Sequence, residues 1–246
     1  MNTSKWLAIG VVISLIFTLT MNSLSNTDLL GEGTIASVSS KYTNLFTPAG
    51  YAFSIWGLIY LSLIAFSVLQ LRVAWSQEVW AGANHIRLWF ILTNLLNAFW
   101  LVAWLNERLG WALCIMAVLL LGLLVILITI ESKPELFSAS FVRYPFQLYA
   151  GWITVAIIAN TSAYLTQLGF SWGFSDQAWT VIILVVALMI YALMLWQMNV
   201  PIYAAVGVWA TLAIAYKQWG SEPIVSYTAL GVALILSILI VLRWLR

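Results

Sequence analysis

The charged residues of this chain all lie between long apolar runs or at the ends of those runs. Ten Lys and Arg residues and eight Asp and Glu residues are distributed in this way, and the runs themselves carry no charge. A charge near the centre of a bilayer costs roughly 2.5–3.5 kcal/mol on insertion scales. Because water is absent there, a spanning backbone must be helical or form a closed barrel. The pattern therefore predicts a membrane protein.

Composition excludes a soluble domain, since 63% of the residues are hydrophobic and only 7% are charged. The apolar runs are continuous, whereas the strands of a transmembrane barrel alternate apolar and polar residues. We therefore predict an all-α polytopic membrane protein, in which each span needs about 20 residues. Eight runs are interpreted as spans, of which the seventh is the shortest: Trp6–Asn22, Gly50–Leu71, Leu88–Leu105, Gly110–Ile130, Tyr144–Thr166, Ala178–Gln197, Pro201–Tyr216 and Val225–Leu242.

The distribution of Lys and Arg predicts the orientation, because cytoplasmic loops carry an excess of both. With eight spans, seven basic residues share a side with the two termini and three lie on the other side. We expect a multi-pass protein of a bacterial inner membrane with both termini in the cytoplasm. The net charge of +2 is small and no basic run occurs, so nucleic acid is not an expected partner. The expected partners are the lipid bilayer and a hydrophobic small molecule.

Tryptophan is abundant, with 15 residues. Most lie near the ends of the predicted spans, where amphipathic rings prefer the level of the lipid headgroups. The residues in this group are Trp6, Trp75, Trp80, Trp89, Trp111, Trp172, Trp179, Trp196, Trp219 and Trp244. Four others lie deeper in the spans, at Trp56, Trp100, Trp152 and Trp209. A buried indole N–H needs an acceptor, so these four are interpreted as packing anchors or pocket walls.

Three predicted spans carry aromatic and amide side chains on one helix face. The second has Phe53, Trp56 and Tyr60; the third has Asn94, Asn97, Leu101 and Trp104, with Trp100 beside them; the fifth has Tyr149, Trp152, Ala156 and Asn160. Amides also hydrogen-bond across membrane helices, at about 0.6 kcal/mol on average, so interhelical packing stays an alternative explanation. Because aromatic rings accompany the amides on all three faces, we favour a pocket for a planar hydrophobic ligand.

Segments of the same three spans resemble the TspO/MBR family, the translocator proteins or tryptophan-rich sensory proteins. The segment Phe46–Tyr60, reading FTPAGYAFSIWGLIY, is similar to the opening of that family's second helix. Thr93–Trp100 (TNLLNAFW) is similar to the third helix, and Tyr144-Pro145 with Trp152 and Asn160 is similar to the fifth. Ala49 and Tyr51 stand where the family motif usually has a proline and a tryptophan. The resemblance covers roughly residues 1–167.

The resemblance implies a TspO-like five-helix bundle at residues 1–167, followed by about three extra transmembrane helices at residues 168–246. It also implies a pocket beneath the first exterior loop, Ser23–Ala49, that binds porphyrins and related hydrophobic ligands. Carried over by position, the ligand-binding residues are Trp56, Tyr60, Asn94, Asn97, Trp100, Trp152, Ala156 and Asn160. The residues expected to shape the entry to the second helix are Pro48, Gly50 and Phe53. A porphyrin-like or haem-like ligand is expected without a required cofactor, and homodimers are common in the family.

Two other functions stay open at this point. A transporter of a neutral or amphipathic small molecule is compatible with eight spans, although the sequence shows no charged gate and no repeat. An enzyme acting on bound porphyrin is the other alternative. The single histidine, His85, has no Ser, Cys or second His at a spacing that suggests catalysis or a metal site, so no catalytic residue and no metal ligand is predicted.

Overall fold

The computed structural model describes residues 3–27, 29–31, 33–76, 82–133, 140–170 and 173–245. Within these ranges all regular secondary structure is helical, and seven helices are long and apolar enough to cross a membrane. The predicted all-α polytopic class is therefore confirmed. The helices are α1 (Thr3–Leu24), α2 (Ile35–Lys41), a 3-10 helix (Gly50–Ser54), α3 (Ile55–Trp75), α4 (Ala83–Leu105), α5 (Leu109–Glu131), α6 (Ser140–Gln167), α7 (Asp176–Met198), α8 (Pro201–Lys217) and α9 (Pro223–Trp244).

The helices form two compact units. Unit 1 contains residues 1–38 and 56–150, and unit 2 contains residues 39–55 and 151–246. Residues of α6 up to Ala150 belong to unit 1 and those from Gly151 onward belong to unit 2. The domain boundary expected after residue 167 stays a prediction.

In unit 1, α1 and α4 run parallel. Arg87 Nη1 donates to Ser4 Oγ at 2.6 Å, and Asn94 Nδ2 donates to Ser14 Oγ at 3.0 Å, so the contacts advance together along both helices. Arg87 Nε also donates to Gln70 Oε1 at 2.9 Å, near the end of α3, which makes α3 antiparallel to α4. The Arg87 side chain is fully buried, and within the described residues its hydrogen bonds go to neutral groups.

Aromatic rings fill the middle of unit 1. Phe66 of α3, Phe90 of α4 and Phe146 of α6 pack edge to face, with ring centroids 4.8–5.5 Å apart. At the end of α5, Glu131 forms an ion pair with Arg143 at 2.5 Å and accepts a hydrogen bond from Gln147 at 3.1 Å. These contacts hold the first part of α6 parallel to α4, and Tyr149, three residues after Phe146, hydrogen-bonds Asn97 of α4.

In unit 2, α7 and α9 run parallel. Helix α8 runs antiparallel to both, from the end of α7 back to the start of α9. Gln177, at the start of α7, donates to Glu222, just before α9. At the other end, Arg243 Nε donates to Asn199 Oδ1 at 3.1 Å, which joins the end of α9 to the residue after α7. Since α8 connects Asn199 to Glu222, its segment of the chain extends over the same distance along the helix axes as α7 and α9.

This arrangement bears on the seventh predicted span. With 17 residues, α8 is about 26 Å long at 1.5 Å per residue and is absent from the seven helices that length and apolar composition alone identify as spans. By that criterion the described residues contain seven of the eight predicted spans, and the span predicted at α8 stays a prediction. The contacts at the two ends of unit 2 nevertheless show that the segment containing α8 extends as far along the helix axes as α7 and α9, its two longer neighbours.

The core of unit 2 is closed around two tyrosines. Tyr191 Oη donates to the Gly151 carbonyl at 2.7 Å, and the Tyr203 hydroxyl hydrogen-bonds Thr154 Oγ1 at 2.7 Å. Gly207 permits the ring of Tyr191 to approach α8, since a Cβ there would lie 2.8 Å from the ring. Both hydroxyls therefore have partners inside a tightly packed interface.

Most of the tryptophans expected at the membrane surface are exposed in the structure. The exposed group is Trp6, Trp75, Trp111, Trp196, Trp219 and Trp244, whereas Trp89 and Trp179 are half-buried. Trp80 and Trp172 lie outside the described residues. Of the four expected to be deeper, Trp100 and Trp152 are buried, but Trp56 is half-buried and Trp209 is 37% exposed. Trp209 donates to the Ala52 carbonyl at 3.1 Å.

Candidate functional site

Three buried or half-buried polar side chains of unit 1 form a continuous hydrogen-bonded chain. Asn22 Nδ2 of α1 donates to Asn97 Oδ1 of α4 at 3.1 Å. Asn97 Nδ2 in turn donates to the hydroxyl of Tyr149, on α6, at 3.0 Å. Asn97 and Tyr149 are each 1% exposed. The chain links three helices through one amide that uses both its donor and its acceptor.

Aromatic rings from α3 close the other side of this chain. Trp56 packs edge-on against Tyr149, with ring centroids 5.9 Å apart. Tyr60, one turn further along α3, stacks on Trp56 at 5.3 Å with an interplanar angle of 22°. Two predicted ligand-binding residues of α3 and the predicted Asn97 of α4 are thus brought together through Tyr149. The result is a set of flat apolar faces beside a few polar atoms.

Three buried polar atoms in unit 1 have no hydrogen-bond partner among the described residues. They are the Tyr60 hydroxyl, Asn94 Oδ1 and Trp100 Nε1. The Tyr60 hydroxyl lies near the side-chain amide of Asn22 and the hydroxyl of Tyr149, but it makes no hydrogen bond of normal distance and angle with either. An unpaired buried polar group costs about 1–3 kcal/mol. We call these three residues, with Trp56, Asn97 and Tyr149, the polar cluster.

Helix α4 carries three members of the polar cluster at three-residue spacing, Asn94, Asn97 and Trp100, so each is the neighbour of the next along the helix. Asn94 uses its Nδ2 group to bond Ser14, and its backbone carbonyl accepts from Thr18 Oγ1 at 2.8 Å. Its Oδ1 atom is left over. Trp100 stacks on Trp104, with centroids 5.8 Å apart. The edge of α4 therefore presents one acceptor and one donor that neighbouring helices do not use.

The first part of the long loop after α1 covers the end of α4. Trp104 Nε1 donates to the Ile35 carbonyl at 3.3 Å, and Asn106 Nδ2 donates to the Leu30 carbonyl at 2.8 Å. Gly31 lies so close to the Leu105 backbone that a Cβ would come within 2.7 Å of its carbonyl oxygen. This part of the loop is therefore packed onto the end of α4, on the side of the polar cluster where Asn22 lies.

The other predicted site residues belong to unit 2. Trp152 is buried and packs edge-on against Phe53, with centroids 5.7 Å apart. Ala156 is half-buried and Asn160 is buried on the same helix. Pro48 and Gly50 line a cleft at the end of α8. The predicted convergence of all eight ligand-binding residues on one cavity stays a prediction, because they are divided between the two units.

Sequence reasoning assigned no pocket role to two residues that organise the polar cluster. Asn22 ends the first predicted span, and an amide in the last turn of an apolar run indicates a hydrogen bond across helices. Tyr149 lies on the aromatic face of the fifth predicted span but is not among the ligand-binding residues that the family resemblance implies. His85 packs edge-on against Trp89 on α4, at 6.3 Å between centroids.

The comparison with protein families decides the affiliation of the chain. The model of the family described as TSPO-like protein matches residues 6–242. The chain belongs to the TSPO-like protein family. The match extends past residue 167, where the resemblance was expected to end, so α7, α8 and nearly all of α9 fall within it. No curated protein and no solved structure matches the chain.

Proposed function

We propose that this TSPO-like membrane protein is a receptor, sensor or carrier that binds a tetrapyrrole-like or similar hydrophobic ligand at the polar cluster of unit 1. The observation that carries the proposal is the set of unpaired polar atoms on Tyr60, Asn94 and Trp100, buried beside stacked aromatic rings. Interhelical packing alone gains nothing from leaving such atoms unpaired. A ligand that hydrogen-bonds to them offsets their cost on binding.

The chemistry of the unpaired atoms defines the ligand class. The indole N–H of Trp100 is a donor, the Asn94 Oδ1 atom is an acceptor, and the Tyr60 hydroxyl serves as either. A planar apolar body with polar groups of both kinds, such as a porphyrin, matches this set together with the flat faces of Trp56 and Tyr60. The proposed action is binding without covalent chemistry, with no required cofactor.

Topology extends the proposal to the membrane arrangement. We place both termini in the cytoplasm of a bacterial inner membrane, supported by the excess of basic residues on that side and by the crossing of unit 2 at α8. The binding site then lies towards the exterior ends of α1 and α4. A homodimer is proposed on family grounds alone.

The test is a titration of the purified full-length protein with protoporphyrin IX, followed by the porphyrin Soret absorbance and tryptophan fluorescence. Wild-type protein is expected to give a saturable change. Trp56→Ala is expected to weaken binding about tenfold or more, since it removes an aromatic wall. Trp244→Ala, at an 84% exposed position at the end of α9, serves as the matched control and is expected to bind as the wild type does. An absence of saturation, or equal affinity of the Trp56→Ala variant, would overturn the proposal.

A further inference from the structure

Unit 2 contains an open cleft that the proposed function does not use. It has a volume of about 490 Å³ and is lined by Pro48, Ala49, Gly50, Tyr216, Lys217 and Trp219. It lies where α8 ends and the 3-10 helix begins. None of its lining residues belongs to the polar cluster, so a ligand here would be bound independently of one bound in unit 1.

Hydrogen bonds hold the two walls of the cleft in place. The Ala49 N–H donates to the Ala213 carbonyl at 3.2 Å, and Gln218 Nε2 donates to the Leu45 carbonyl at 2.9 Å. The indole of Trp209 reaches the same segment at the Ala52 carbonyl. Because residues 45–52 are tied at three levels to α8 and to the residue that follows it, the cleft is formed before any ligand arrives.

The cleft contains one cationic group. Lys217 is exposed, and no described residue pairs with it in a hydrogen bond or an ion pair. The nearby carboxylate in the sequence, Glu222, accepts its hydrogen bond from Gln177 instead. An ammonium at the end of an apolar helix extends towards water while its stem lies on apolar surface. A negatively charged group in the cleft would therefore meet an uncompensated positive charge.

Exposed aromatic rings surround this charge. Tyr216 is 69% exposed and Trp219 is 64% exposed. Tyr51 packs edge-on against Tyr216 at 5.7 Å, and Trp219 packs edge-on against Tyr227 at 6.1 Å. Clusters of Trp and Tyr at the ends of membrane helices lie at the level of the lipid headgroups. This places the cleft where phospholipid phosphates and acyl chains meet.

We propose that the cleft binds an anionic phospholipid. The negatively charged headgroup lies against Lys217, and the apolar part of the lipid lies against Tyr216 and Trp219. Gly50 lines the cleft, and a Cβ at this position would project into open space with no atom within 4 Å. The missing side chain leaves room for a ligand between Pro48 and Lys217. A basic residue near a membrane surface contributes about fivefold to the binding of an anionic lipid.

The experiment measures lipid binding to the purified full-length protein in detergent by native mass spectrometry. Phosphatidylglycerol is expected to bind more tightly than phosphatidylcholine. Lys217→Gln is expected to weaken phosphatidylglycerol binding about fivefold, and Lys217→Arg is expected to retain it. Gly50→Leu fills the cleft and is expected to weaken binding of phosphatidylglycerol at least as much. Gly231→Leu, which also adds a side chain in open space in unit 2, is the control and is expected to change nothing.

Two results would overturn this assignment. The first is equal binding of phosphatidylglycerol by the wild type and by both the Lys217→Gln and Gly50→Leu variants. The second is binding of glycerol 3-phosphate as tightly as phosphatidylglycerol, because the site would then recognise a free soluble phosphate rather than a lipid. The unfolding midpoint of each variant is measured alongside, and the inference is supported when the two cleft variants lose lipid while keeping the wild-type midpoint.

Discussion

The tyrosines of the two units illustrate two uses of buried polar groups in a membrane protein. In unit 2, the hydroxyls of Tyr191 and Tyr203 bond to Gly151 and Thr154 at 2.7 Å each. In unit 1, the Tyr149 hydroxyl accepts from Asn97, but the Tyr60 hydroxyl has no hydrogen-bond partner among the described residues. Both of these tyrosine hydroxyls in unit 2 therefore have hydrogen-bond partners, whereas of the two in unit 1 only the hydroxyl of Tyr149 has one.

This difference separates structural polar contacts from a binding site. Hydrogen bonds between membrane helices contribute little each, about 0.6 kcal/mol on average, so paired groups such as Tyr191 and Tyr203 need no function beyond packing. Unpaired groups cost free energy in the empty protein. The three unpaired atoms of the polar cluster therefore indicate where a ligand gains the most, and the aromatic residues alone do not.

The largest effect on stability is expected where unit 2 is packed most tightly. Gly207→Ala would place a Cβ 2.8 Å from the Tyr191 ring, and such overpacking costs about 1–3 kcal/mol. Unfolding in mixed micelles with increasing denaturing detergent measures the loss. Gly231→Ala, in the open part of α9, is the control. A Gly207→Ala variant as stable as this control would show that α7 and α8 do not approach so closely.

A smaller loss of stability is expected at the paired amide of unit 1. Asn97→Leu removes the bonds with Asn22 and Tyr149, which at about 0.6 kcal/mol each amount to roughly 1 kcal/mol. The same variant is expected to weaken porphyrin binding, because it frees the Tyr149 ring that packs against Trp56. Unfolding and porphyrin titration on one preparation measure both. Unchanged values in both assays would remove Asn97 from the cluster.

The next effect concerns a single hydroxyl of unit 2. Tyr191→Phe removes the bond to the Gly151 carbonyl and is expected to lower stability by about 0.6 kcal/mol, while porphyrin affinity stays at the wild-type value. The same unfolding assay detects the change. A Tyr191→Phe variant that unfolds with the wild type would show that this hydrogen bond adds nothing to the closed interface.

The sequence predicted the helical class and most of the spans because continuous apolar runs are a long-range and unambiguous pattern. Its predicted span at α8 corresponds to a shorter helix than the others, since Pro201 and the residues after Lys217 limit that helix to 17 residues. Among the site residues, spacing alone placed Trp56 and Tyr60 on one face and Asn94 and Asn97 on another. Spacing could not show which polar atoms would have hydrogen-bond partners, because the partners, such as Asn22 and Ser14, come from a helix far away in the sequence.

The most direct test compares porphyrin affinity in two variants that each lose one buried hydroxyl, Tyr60→Phe and Tyr191→Phe. The Tyr60 hydroxyl is unpaired and is expected to bond the ligand, so Tyr60→Phe should weaken protoporphyrin IX binding about fivefold without a loss of stability. Tyr191→Phe should bind as the wild type does. Equal affinities of the wild type and the Tyr60→Phe variant, or a greater loss with Tyr191→Phe, would contradict the view that unpaired polar atoms mark the binding site.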